Sequence, residues 1–189
     1  MDKNTFDFIK EKYGLISSWA VWVEAGDNPT SNVGDLSIFN DPEVIKSLNE
    51  NIVFVGLNIS RSIKTPLANF HDSYSKATDF KIRFALKDSP FWGGYMTDII
   101  KNNIEIDSSK IPNYLKNNPS IEKDNMKIFK EELRDLGCDN PLIISVGALT
   151  HIILKRNFDE TYNIINIPHY AVRISKEKYR EKILAILNK

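Results

Sequence analysis

Apolar residues in this chain follow two rhythms: short unbroken runs, and longer stretches in which they recur every third or fourth position. The unbroken runs are Asn51-Ile52-Val53-Phe54-Val55-Gly56-Leu57-Asn58-Ile59-Ser60, Tyr95-Met96-Thr97-Asp98-Ile99-Ile100, Pro141-Leu142-Ile143-Ile144-Ser145-Val146-Gly147 and Ile164-Ile165-Asn166-Ile167. Continuous hydrophobicity of this length predicts strands covered on both faces. Helical spacing appears over 3–12, with Phe6 and Ile9, then Tyr13 and a stop at Gly14. It returns over 75–87 (Phe80, Arg83, Phe84, Leu86), 120–136 (Ile121, Met126, Phe129, Leu133), 148–155 and 175–187 (Ile183, Leu184, Leu187). Asp41-Pro42-Glu43 reads as an N-cap, a first-turn proline and an acid at the positive end of a helix dipole, opening a short helix through Leu48. Residues 15–25, with Trp19, Val21, Trp22 and Val23, are too apolar to be exposed, whether helix or strand. Residues 26–39, 61–71 and 102–119 lack periodicity and read as loops.

Strands alternating with helices predict an α/β fold. The expectation is a three-layer α/β/α arrangement around a central four-stranded parallel sheet, in one domain over residues 1–189. In such a sheet all strand tips share one edge, and ligands bind there. Three tips carry polar residues: Asn58 and Ser60 after the first strand, Thr97 and Asp98 on the second, His169 and Tyr170 after the fourth. The loop after the first strand adds Phe70, a ring able to stack on a planar ligand or to anchor the core, and His71. His169, beside Pro168 and close to Arg173, can donate to a developing anion.

Composition narrows the choice. Lys plus Arg and Asp plus Glu number 25 each, so net charge is zero and no whole-molecule field draws polyanions; nucleic-acid binding would need a local basic patch. The single cysteine, Cys138, precludes an internal disulfide and reads as part of a connector, while His71, His151 and His169 lack metal-ligand spacing. No apolar run approaches the ~20 residues of a membrane helix. The polar start Met1-Asp2-Lys3-Asn4 lacks a signal-peptide core, so a cytoplasmic location is expected. A Gly-rich dinucleotide fingerprint, a phosphate-cradling loop and a Gly-x-Ser-x-Gly elbow are all missing, which disfavours nicotinamide enzymes, P-loop hydrolases and ordinary serine hydrolases.

Taken in order, these pieces resemble the uracil-DNA glycosylase superfamily over about residues 50–175. Gly56-Leu57-Asn58-Ile59-Ser60 resembles the Gly-x-Asn-Pro-Gly/Ser strand-end motif, Thr97-Asp98-Ile99-Ile100-Lys101 the Thr-Asn-x-x-Lys strand, and Pro168-His169-Tyr170 occupies the place of the His-Pro-Ser-Pro loop. The resemblance implies DNA repair by hydrolysis of the N-glycosidic bond of a damaged or mismatched base, uracil or a related deaminated base, without metal or organic cofactor. The base would be flipped from duplex or single-stranded DNA onto Phe70. Asn58 would orient water and His169 would stabilise the departing base. Gly56, Leu57, Ser60, His71, Asp98 and Tyr170 would line the base site, and Arg61, Lys64, Arg173 and Lys176 would form a basic rim for phosphates.

Two departures carry consequences. Ile59 stands where the family has Pro, which loosens the turn that aims Asn58. Asp98 stands where the family has Asn, and a carboxylate accepts from a ring N–H or an amino group but repels the carbonyl at position 4 of uracil. A monomer is expected. Two other readings stay open: a non-catalytic module that binds a nucleobase, nucleotide or nucleic acid on the same fold, and an enzyme acting on a free nucleoside or other small molecule.

Overall fold

Each strand expected from an unbroken apolar run is present in the computed structural model, which describes residues 1–188. β2 (Asn49–Asn58), β3 (Gly94–Ile100), β4 (Leu142–Val146) and β5 (Ile164–Ile167) pair in parallel. A further strand, β1 (Ser17–Trp19), makes the sheet five-stranded and mixed, in the order β1-β3-β2-β4-β5. β1 runs antiparallel to β3, with Ser17 opposite Thr97 and Trp19 opposite Tyr95. The expected four-stranded parallel sheet is corrected in this respect. Three residues, all buried, are too few to show a period in the sequence.

The helices are α1 (Lys3–Tyr13), α2 (Pro42–Ser47), α3 (Asp79–Leu86), α4 (Ile111–Asn117), α5 (Pro119–Asp135), α6 (Ala148–Asn157) and α7 (Lys176–Leu187). Asp2 caps α1 by accepting from Asn4 N–H and Thr5 N–H, and Asp41 caps α2 by accepting from Glu43 N–H. α4 lies in a segment that reads as irregular. Its buried Ile111 and Leu115 are spaced i, i+4, but the polar residues around them hide the pattern.

Apolar residues on the sheet fall into two clusters, one per face. Val53, Val55, Ile143 and Ile99 pack with residues of α1, α5 and α6, whereas Phe54, Met96 and Ile144 pack with residues of α3 and α7. This division follows from right-handed crossovers. The chain steps from β2 to β3 through α3, and returns across β2 to β4 and on to β5 through α5 and α6. The loops that leave β2 and β4 therefore diverge to opposite faces of the sheet. Among the described residues no helix is long and apolar enough to cross a membrane.

Candidate functional site

The parallel register sets Gly56 of β2 beside Asp98 of β3. A Cβ at Gly56 would overlap the Asp98 carboxylate and press on the Phe70 ring at 3.2 Å, so the missing side chain is what lets an acid and an aromatic ring meet at the strand tip. The backbone of the loop that carries Phe70 is strained. Leu67 and Phe70 both have positive φ, 68° and 63°, costly for bulky residues. The loop is held there by Leu67 N–H donating to Gly14 O at 2.7 Å, Ser18 Oγ to Leu67 O at 2.7 Å and Trp22 Nε1 to Phe70 O at 3.2 Å.

Asp98 is only 4% exposed. Its Oδ2 accepts from Asn69 Nδ2 at 2.9 Å, and the same amide donates to Ile16 O at 3.1 Å. Burial pushes the Asp98 carboxyl up to about 6, against the opposing pull of Asn69 and Lys101. Behind β3 lies a buried polar group. Lys101 Nζ is 3.0 Å from Glu132 Oε1 and donates to Thr97 Oγ1 at 3.0 Å and to Asp98 O. Tyr95 OH donates to Glu132 Oε2 at 3.3 Å, and Lys101 N–H donates to Asn125 Oδ1 at 2.7 Å. Glu132 Oε1 lies within ion-pair range of Lys101 but outside hydrogen-bond geometry. The Thr97-x-x-x-Lys101 spacing thus anchors the strand that presents Asp98.

A second buried carboxyl, Asp79 at the start of α3, faces Tyr170. Its Oδ2 accepts from Asp72 N–H at 2.8 Å. Burial, with the charges of Asp72 and Asp98, raises this carboxyl to about 6, and burial, with the charges of Asp79 and Asp98, holds the Tyr170 hydroxyl far above its ordinary value. Tyr170 in turn stacks on His169, ring centroids 4.3 Å apart. His169 Nδ1 accepts from Ala171 N–H at 3.0 Å. Although the residue as a whole is exposed, enough of its ring is desolvated to lower its pKa. The imidazole is therefore neutral at physiological pH, with its proton on Nε2 as a donor.

Compared with known protein families, characterised proteins and solved structures, the chain matches none. The site must be read from its own chemistry.

Asn58, half-buried at the end of β2, donates through Nδ2 to Ile59 O at 3.1 Å and Glu105 O at 2.7 Å. With the amide nitrogen engaged, Oδ1 is the atom left to accept from water. The turn after Asn58 is not loosened by Ile59 as expected. Ile59 N–H donates to Ile100 O at 3.4 Å and Ile59 O accepts from Glu105 N–H at 3.2 Å, so hydrogen bonds fix it. Proline could not make the first of these.

The structure thus brings Gly56, Asp98 and Phe70 together, the Phe70 ring itself buried in the core at 6% exposure, and separately brings Tyr170 to Asp79 and His169; Asn58 ends the same strand as Gly56. It does not bring in every residue read from the sequence. His71 is buried against Trp22 (5.1 Å) and Phe39 (5.7 Å), its Nε2 at 3.3 Å from Trp19 O, and burial pushes it down to about 4; it is a core residue. Leu57 packs on the opposite face, with the α1, α5 and α6 cluster, and Ser60 is exposed. On the rim, Lys64 and Arg173 are exposed. Arg61 pairs with Asp72 and stacks over Tyr74 at 4.5 Å, and Lys176 pairs with Glu177 and sits 4.0 Å over Phe84.

No local pattern in the sequence singles out Asn69 or Asp79. Asn69 sits in an aperiodic loop, and Asp79 reads as one more polar residue near a helix start. Only its place directly before Phe70, which the sequence singles out, marked Asn69. Among the described residues no three His, Cys, Asp or Glu side chains cluster as metal ligands. A broad groove of about 580 Å³ is lined by residues including Leu115, Glu122, Leu149 and Arg156 of α4, α5 and α6, and by none of the residues read as site residues from the sequence.

Proposed function

We propose that this protein is a DNA base glycosylase, a divergent relative of the uracil-DNA glycosylase superfamily with a three-layer α/β/α body. The observation that carries this reading is the meeting of Gly56, Phe70 and Asp98 at the tips of two parallel strands, two residues before Asn58, whose side-chain oxygen is left to accept. An aromatic face, a hydrogen-bonding group and a water-orienting group are what removal of a flipped base requires.

In this mechanism the base lies against Phe70 and hydrogen-bonds to Asp98. The C1′–N bond breaks with its electron pair leaving on the base, and the sugar takes on oxocarbenium character. His169, neutral and donating from Nε2, stabilises the departing anion. Water held by Asn58 Oδ1 adds to C1′, and its proton ends on the base. Arg61, Lys64 and Arg173 would hold flanking phosphates, whereas Lys176, engaged by Glu177 and Phe84, adds little to that rim.

The experiment is incubation with duplex and single-stranded oligonucleotides carrying deaminated, alkylated or oxidised bases or mismatches, followed by alkaline cleavage of abasic sites. Turnover of at least one of these is expected, with losses of about 100-fold or more in Asn58→Ala and His169→Ala. Binding without turnover of any of them would instead support a non-catalytic base-binding module.

A further inference from the structure

We propose that two copies of this chain associate through β5, pairing antiparallel edge to edge into a single continuous sheet. The inference is independent of how the strand tips are read. Its first support is the backbone accounting along β5. Ile143 N–H donates to Asn163 O at 2.9 Å and Gly147 N–H to Ile167 O at 2.8 Å, so strand alternation turns the backbone groups of Ile164 and Asn166 away from β4. β5 is the last strand of the sheet, and among the described residues the N–H and C=O groups of Ile164 and Asn166 have no partner. The Asn166 side chain does not cap them, because it is spent on Ser145 Oγ at 3.2 Å.

The second support is the contrast with the other edge. β1 has three residues, each 0% exposed, and a neighbouring loop seals it: Asn69 Nδ2 donates to Ile16 O and Ser18 Oγ to Leu67 O. Nothing comparable guards β5. Residues 163–167 carry no charge, no proline and no bulge, the devices that keep an open edge from pairing, and Asn163 and Asn166 are exposed beside half-buried Ile164 and Ile165.

A second copy fits this edge because the edge is complementary to itself. About a two-fold axis at Ile165, Ile164 of each copy faces Asn166 of the other, each pair exchanges both of its N–H···O bonds, and the two Ile165 side chains meet directly. The pairing uses up the open edge of both copies and leaves only the sealed ones, so it stops at a dimer. Helices α6 and α7 pack on β5 from opposite faces and supply the further contact that so short a strand lacks; Ile152 on α6 is 55% exposed and Ile186 on α7 is half-buried. With 25 residues of each sign, no net charge opposes the meeting of two copies.

The test is the mass of the intact protein by light scattering after gel filtration, loaded at about 100 µM. Twice the mass of the chain is expected. Asn166→Pro removes an N–H that no bond within the chain uses and sets a ring where the partner strand would lie, so it should return the mass of a single chain with an unchanged circular dichroism spectrum. Should that variant fail to fold, amide hydrogen exchange of the wild type serves instead. The Ile164 and Asn166 amides should exchange at least about 100-fold more slowly in concentrated protein than in protein diluted until it dissociates. A single-chain mass for the wild type would overturn the inference. So would a dimer that Asn166→Pro leaves intact, or Ile164 and Asn166 amides that exchange as fast in the dimer as in the monomer, since either result would put the contact elsewhere.

Discussion

Asp79 and Asp98 are two carboxyls in a space that disfavours charge, each held near pKa 6 by burial. Such an arrangement costs stability and therefore calls for a use. The cost can be measured at Asp79, whose carboxyl rises from 3.8 to about 6. Below the ordinary value both the folded and unfolded chains hold the proton, and nothing is lost. As pH rises toward 6 the unfolded chain releases its proton first, and stability drops by up to about 3 kcal/mol in total. Asp79→Asn keeps an oxygen for Asp72 N–H and removes the charge. It should therefore raise the melting temperature at pH 8 and confer a much smaller gain near pH 4. Equal gains at both would show that the charge of Asp79 is not what destabilises the site.

At the scale of elements, β3 is held from behind by a buried ion pair and presents Asp98 in front. Removing one member of such a pair strands the other charge, at a typical cost of about 3–5 kcal/mol. Lys101→Met should destabilise the protein by that order in denaturant unfolding, and the double variant Lys101→Met, Glu132→Leu should recover most of the loss. If the single variant were no less stable, Lys101 would not be the anchor of this strand.

Elements also show what the sequence could convey. β2 to β5 were legible because both of their faces are covered and their hydrophobicity is continuous, and α1, α5 and α7 because one stripe of each is apolar. β1 was not, since its three residues are buried by partners rather than marked by a period, and α4 was not, since only Ile111 and Leu115 mark its inner side. Asn58, Asp98 and His169 were legible as polar residues at strand tips. Asn69, Asp79 and the core role of His71 were not, because loop geometry brings them in or turns them away, and no local pattern encodes that geometry.

For the whole molecule, topology supplies the site and net charge supplies little. With 25 residues of each sign, attraction to a polyanion must come from a few rim cations, and Arg61 is already paired with Asp72. Recognition then depends on the strand-tip group of Gly56, Phe70 and Asp98. Its competitor is the groove of about 580 Å³ between α4, α5 and α6, which has neither an aromatic lining nor a buried acid. The most direct test is backbone amide NMR during titration with a free methylated nucleobase. Shifts centred on Gly56, Phe70, Asp98 and Tyr170 are the predicted result. Shifts centred on Leu115, Leu149 and Arg156, with the strand tips silent, would contradict it.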